Sequence, residues 1–214
     1  MAQEQGIGQS VASHYNNLQE KGVESRKESR IYHMRNFNNF IKSILIQEFS
    51  DKIKQNKPRP RHGEEDDERR SDKFNVLDIG CGKGGDLLKW SKARIGHYVG
   101  VDIAETSVEQ AKSRYADMKY KQKNRIFSGE FYAADCTKAN LEELYEDKNI
   151  MFDIVTCQFA FHYCFESLDQ ADCMLKNISS HLKVGGYFLG TTTDANDIGQ
   201  YFTIVIFANL RFNR

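Results

Sequence analysis

No stretch of the chain approaches the ~20 consecutive apolar residues that a membrane-spanning helix needs. The N-terminus also lacks the apolar core of a secretory signal. These absences argue against a membrane anchor and an export signal. Net charge is missing too: 30 Lys and Arg balance 30 Asp and Glu, so no overall field draws the chain to nucleic acid or to a membrane surface. Cysteine occurs five times, at Cys81, Cys136, Cys157, Cys164 and Cys173, but never as a C-x-x-C pair. That spacing argues against a zinc site or a disulfide framework and for a reducing compartment, so a soluble cytosolic or nuclear protein without a metal site is expected. Proline is confined to Pro58 and Pro60, in one charged stretch.

The balanced charge is unevenly spread. Lys83 to Arg125 holds ten Lys and Arg against five Asp and Glu, whereas Ile126 to Asp172 holds two against ten. A polyanion would find only part of this surface attractive, and most of these residues read as solvated helix faces. A length of 214 residues suffices for one domain with a substantial core. Residues 1–54 read as a helical extension, in which Phe37, Ile41, Leu45, Phe49 and Ile53 recur every four residues on one stripe. Residues 55–73 form a charged loop containing Glu64-Glu65-Asp66-Asp67-Glu68-Arg69-Arg70 and both prolines. Its core from Lys57 onward has no aliphatic residue and no Phe, Tyr or Trp. Nothing there offsets the entropy of ordering, so disorder is expected. Lys57-Pro58-Arg59-Pro60-Arg61 is a candidate basic localisation tag.

From 74 to 193 strands and helices alternate. Asn75 to Ile79 reads as a strand and Asp86 to Lys92 as a helix; Tyr98 to Val101 is the second strand, followed by a helix striped by Val108, Ala111, Tyr115 and Met118. Phe131 to Ala134 is the third strand, with a helix around Leu141 to Tyr145 after it, and Phe152 to Cys157 is the fourth. Leu168, Ala171, Leu175, Ile178 and Leu182 stripe the next helix, begun by a Ser167-x-x-Gln170 capping box and ended by Gly185-Gly186. Tyr187 to Thr191 is the fifth strand. This repetition predicts an α/β, Rossmann-like fold: a parallel, doubly wound sheet with ligands outside the carboxyl ends of its strands.

Val76-Leu77-Asp78-Ile79-Gly80-Cys81-Gly82-Lys83-Gly84-Gly85 joins the first strand to a glycine loop and a helix. Such a loop brings backbone N–H groups close to a ligand. A dinucleotide site keeps the helix N-terminus free for pyrophosphate. Asp78 at the strand end instead suits a cationic ligand bearing an amino group, and S-adenosylmethionine (AdoMet) is such a ligand. Asp102, twenty residues past Gly82, closes the second strand and can accept both ribose hydroxyls of an adenosine. Its alternative is to cap the following helix, a task Thr106 or Ser107 can also perform. Asp135, ending the third strand, can take the adenine amino group or serve as a turn aspartate. The fourth strand runs into Cys157-Gln158-Phe159-Ala160-Phe161-His162-Tyr163, which sets Gln158 and Tyr163 at the cofactor mouth and aromatics around a flat substrate. His162 reads as a donor or acceptor to a bound base, with an acid/base role and a satisfied core histidine as alternatives.

Together these segments resemble the mRNA cap guanine-N7 methyltransferase family. The likeness is carried by Arg35-Asn36-Phe37-Asn38-Asn39-Phe40-Ile41-Lys42, by the glycine loop continued through Asp86-Leu87-Leu88-Lys89-Trp90, by the segment from Cys157 to Tyr163, and by Gly185-Gly186-Tyr187-Phe188-Leu189-Gly190-Thr191-Thr192. It covers about residues 10 to 193, apart from the charged loop. The glycine motif is generic to AdoMet enzymes, and the asparagine motif is far more specific. The resemblance implies that Lys42, Gly80, Asp102, Asp135, Gln158 and Tyr163 contact AdoMet, and that Asn38, Asn39, Lys83, Lys89, Arg114 and His162 contact the capped RNA end. It implies no catalytic acid or base, capped mRNA as substrate and partner, and a nuclear location.

The resemblance stops after Thr193, and residues 194–214 read as a divergent tail, of which Tyr201 to Leu210 is apolar enough to pair as an edge strand. The family continues with chain that completes the sheet and supplies the lobe used by an activating miniprotein. The sequence therefore reads as a shortened member with its C-terminal strands incomplete. Two readings remain open: a cap guanine-N7 methyltransferase, or a catalytically weak AdoMet-binding remnant.

Overall fold

The computed structural model describes residues 6–17, 29–56, 73–123 and 125–193, and the backbone of residues 203–208. Both prolines, the acidic block, the 57–61 tag and the rest of the tail lie outside these. The elements are α1 (Ile7–Asn16), α2 (Tyr32–Gln55), β1 (Asn75–Ile79), α3 (Leu87–Ala93), β2 (His97–Asp102), α4 (Glu105–Lys121), β3 (Ser128–Ala133), β4 (Phe152–Gln158), α5 (Leu168–Ser179), β5 (Leu182–Thr193) and β6 (Thr203–Ala208), with single 3-10 helices at Leu141–Glu143 and Phe161–Glu166.

The sheet order is β3-β2-β1-β4-β5-β6. The first five strands are parallel, and β6 pairs antiparallel with β5, from Phe188 opposite Ala208 to Thr193 opposite Thr203. The C-terminal edge, expected to be incomplete, thus carries this added strand. Strand order reverses between β1 and β4, the switch point where doubly wound sheets bind ligands.

Alternation along each strand divides the apolar residues between two cores. Val76, Tyr98, Ile154 and Leu189 face one way and pack with Leu45, Ile46, Phe49 and Ile53 of α2, Trp90 of α3 and Val108 of α4. Their neighbours Leu77, Val99, Val155 and Phe188 face the other way, against Leu141, Tyr145 and Ala171, Met174 and Ile178 of α5. Burial on both faces explains why β4 is buried at every position. Of the stripe expected on the N-terminal helix, Leu45, Phe49 and Ile53 are buried, Ile41 is partly buried and Phe37 is exposed.

The sequence reading errs at three places. The segment after Asp135 forms only a 3-10 turn at Leu141–Glu143, whose first N–H is held by the buried Asn177 side chain. Helix α5 begins with the Ser167 half of the expected box, Ser167 Oγ accepting from the Gln170 N–H, while the Gln170 side chain turns to Glu166; it ends at Ser179, and Gly185-Gly186 plays no part in stopping it. Leu182 instead starts β5, opposite Phe152, while Tyr187 lies opposite Ile154. The residues between bulge out through Gly185, at φ +82°.

Candidate functional site

Backbone geometry at the tip of β1 needs glycine. Gly80 has φ +74°, and a Cβ there would lie 2.6 Å from the Cβ of Ala160. The Gly80 and Cys81 N–H groups both donate to the Val101 carbonyl, at 2.7 and 3.1 Å, which folds the loop back over β2. The Gly82 N–H donates to Asp102 Oδ2 at 2.8 Å, and Asp102 Oδ1 accepts from the Ala104 N–H at 2.9 Å. Asp102 therefore ties the glycine loop to the start of α4. It is not the helix cap that was its alternative, since that position is Ala104, and neither Thr106 nor Ser107 caps either. The Thr106 N–H instead donates to Asn16 Oδ1 of α1 at 3.1 Å. Burial raises the Asp102 carboxyl above its ordinary pKa, against the pull of its backbone N–H partners.

Gly80, Asp102, Asp135, Gln158 and Tyr163 line one cavity of about 230 Å³ at the carboxyl ends of the strands. Asp135 serves as a turn aspartate, Oδ1 accepting from the Thr137 N–H and hydroxyl at 3.0 and 2.6 Å, and the residue also lines the cavity. Gln158 is held rigid, donating to Thr156 Oγ1 at 2.7 Å and accepting from the Thr191 hydroxyl at 2.9 Å. Phe159, also on the wall, sits at φ +59°. A bulky residue in that region costs about 1–3 kcal/mol and persists where the surroundings over-determine it, as ligand sites often do.

The other seven named residues do not line this cavity. Lys42 and Lys89 converge on the buried carboxylate of Asp86, at 2.8 and 2.6 Å, and Lys89 also reaches Asn39 Oδ1 at 3.3 Å. Burial pushes the Asp86 carboxyl up, but the two ammonium groups outweigh it and hold the pKa below the ordinary value. Asp86 stands at the head of α3 yet makes no side-chain cap there, both oxygens being taken by lysine. Asn38, one residue along, has a buried Oδ1 with no donor. His162 lies in the Phe161–Glu166 turn, its ring 4.2 Å from that of Tyr163 at a 41° tilt and 3.4 Å from Thr192 Oγ1; desolvation lowers its pKa and so favours the neutral ring. Lys83 and Arg114 are half-exposed, in the glycine loop and on α4.

Asp78 departs from its expected place. It is only 2% exposed, accepts from the Tyr98 hydroxyl at 2.8 Å, and lies beneath the loop rather than on the cavity wall. Burial, then the nearby Asp86 charge, pushes its carboxyl up to about 7, against the Tyr98 hydrogen bond and Lys42. A carboxyl with a folded pKa above its unfolded value holds an extra proton only in the folded state, so wild-type stability falls as pH rises from about 4 through 7. Asp78→Asn should gain stability relative to wild type across that window, by up to roughly 1.4 kcal/mol per pH unit. Urea denaturation at about pH 5 and pH 8 measures this, and a pH-independent difference would overturn it.

Sequence reasoning placed α1 within the N-terminal helical extension but missed its place at the cavity. Gly8, Val11 and Tyr15 of this helix line the cavity, and the signal was the i, i+4, i+8 spacing of Ile7, Val11 and Tyr15, too short to stand out beside the long stripe of α2. It also missed Glu166, whose Oε1 accepts from the Ile7 N–H at 3.1 Å.

Residues 1–209 match the mRNA (guanine-N(7))-methyltransferase domain. The mRNA cap guanine-N(7) methyltransferase of Drosophila melanogaster is 51% identical over 192 residues, covering 88% of this chain and 42% of that protein. That of Caenorhabditis elegans is 46% identical over 189 residues, covering 88% and 46%. Among solved structures, magnesium protoporphyrin IX methyltransferase (ChlM) from Synechocystis with bound SAM aligns with a TM-score of 0.58 at 12% identity, over 92% of this chain and 80% of that one, a likeness of fold alone. The chain spans less than half the length of the two curated relatives. With two-fifths to one-half of its residues shared with them, and nearly its whole length matched, it belongs to the mRNA (guanine-N(7))-methyltransferase family.

Proposed function

We propose that this chain is an AdoMet-dependent mRNA cap guanine-N7 methyltransferase, acting on the 5′ GpppN end of mRNA, with the nucleus as its compartment. The observation that carries the reading is the cavity at the β1/β4 switch point, which gathers Gly80, Asp102, Asp135, Gln158 and Tyr163 in a chain of this family. Its donor set fits an adenosyl group. A carboxylate offers about four acceptor sites. Asp102 spends one on each of two N–H groups, which leaves capacity for ribose hydroxyls, and Asp135 Oδ2, free of the turn that occupies Oδ1, meets only the Lys138 ammonium at 3.5 Å and keeps acceptor capacity.

AdoMet supplies a methyl group on a sulfonium. The chain supplies orientation. Guanine N7 carries its own lone pair and needs no general base, so none is assigned; alignment of the reactants is worth ~7–11 kcal/mol at best. Asn38, with its orphaned buried oxygen, and neutral His162 suit hydrogen bonds to a base. Lys89, shared with Asp86, and the half-exposed Lys83 and Arg114 suit the triphosphate bridge. Lys42, on the same Asp86 carboxylate, belongs with the cofactor in this reading.

Incubation of the chain with GpppG-capped RNA and methyl-labelled AdoMet tests the proposal. Label is expected in the cap guanine after nuclease digestion. Cofactor binding without transfer would overturn the enzymatic reading in favour of a binding remnant.

A further inference from the structure

Helix α1 lies across the cavity but contributes no fully buried residue to the protein. What holds it is a pair of polar contacts to two separate elements, the Phe161–Glu166 turn and α4. At its first turn, Glu166 Oε1 accepts the otherwise unpaired Ile7 N–H at 3.1 Å, and the same carboxylate is steadied by Gln170 Nε2 on Oε2 at 3.0 Å. At its last turn, Asn16 Oδ1 accepts the Thr106 N–H at the head of α4, at 3.1 Å. Between these, Tyr15 comes up beside Tyr163 on the cavity wall. Gly8 lies so close to Asp135 that a Cβ would come within 3.0 Å of Oδ2 and 3.4 Å of Ile103 Cδ1.

An element fastened at its ends by exposed hydrogen bonds, with little apolar burial, opens at low cost compared with global unfolding. With α1 seated, the cavity of about 230 Å³ is below the ~300–1,000 Å³ usual for small-molecule clefts. We infer that α1 is a lid on the nucleoside pocket, with Glu166 and Asn16 as positioning residues that latch its two ends and Gly8 as the close-contact point that lets it seat over Asp135. The inference rests on the reading of this cavity as an AdoMet site. Closure adds Tyr15 and Val11 to the wall and sequesters the adenosyl group from water; opening lets the cofactor and its demethylated product exchange.

The test uses the full chain and S-adenosylhomocysteine (AdoHcy). Wild type, Glu166→Ala, Asn16→Ala and Gly8→Leu are compared by calorimetry and by the rate of AdoHcy release, with hydrogen exchange followed at the α1 amides. In wild type, AdoHcy is expected to slow exchange in α1. Each latch variant should release ligand roughly threefold to tenfold faster, the scale of losing one hydrogen bond, and Gly8→Leu more than tenfold faster, while far-UV circular dichroism stays unchanged because no buried side chain is touched. Ligand that binds wild type but leaves α1 exchange unaltered, with release unchanged in all three variants, overturns the lid alone. Absence of AdoHcy binding to wild type overturns the cofactor reading and the lid together.

Discussion

Asp102→Ala is expected to weaken AdoMet binding about a hundredfold or more and to lower stability by about 1–3 kcal/mol. Two separate losses combine. The first is to the ligand: a hydrogen bond to a charged acceptor contributes about 1.5–3 kcal/mol, and each 1.4 kcal/mol is tenfold in affinity, so two ribose hydroxyls left without their acceptor account for the binding change. The second is internal, because the Gly82 and Ala104 N–H groups lose the carboxylate that pins the glycine loop to α4. Calorimetry measures the first and urea denaturation the second. Asp102→Asn separates them: its amide keeps one acceptor oxygen, so most of the stability should be retained while binding stays impaired. Unchanged affinity in the alanine variant would overturn the ribose assignment.

Gly80→Ala should abolish measurable cofactor binding. The residue sits at φ +74°, where a Cβ costs roughly 1–2 kcal/mol from local sterics, and that Cβ would meet the Ala160 Cβ at 2.6 Å, a contact no rotamer change relieves. Either the loop lifts off the Val101 carbonyl or the segment after β4 retreats, and both line the cavity. The double variant Gly80→Ala, Ala160→Gly removes the clash and leaves the strained dihedral, so it should recover part of the binding. Wild-type affinity in the single variant would show that the loop does not set the shape of the pocket.

What could be read from the residues alone followed from local rules. The β1 tip was legible because glycines and an acidic residue between a strand and a helix have few other uses, and the parallel order because buried strands such as Phe152–Gln158 read as continuous apolar runs. Asp102 was legible as the last residue of its strand and Asp135 as a residue at the end of the next, two positions past β3 in the structure, although only coordinates show that each also holds local backbone. Illegible were contacts made across large sequence separations by ordinary residues. Asp78 looked available to a ligand, but its partner is Tyr98, and the sequence cannot show that the loop buries both. Glu166 and Ile7 meet across the whole domain. Lys42 and Lys89 read as separate cations until Asp86 joins them. The stop of α5 was misplaced because a glycine pair used for a bulge looks the same as one used to end a helix.

The stretch ahead of residue 55 is not mechanically uniform. Leu45, Ile46, Phe49 and Ile53 fill the same cluster as β1, β2 and β4 residues, and burying side chains of this kind contributes about 1.5–3 kcal/mol each. The helix that carries the asparagine pair and Lys42 is thereby a structural wall, as fixed as the sheet behind it. Trimming the chain through Ile53 would remove this packing, so the asparagines ride on a helix anchored to the sheet, whereas α1, among the described residues, has no buried anchor of its own.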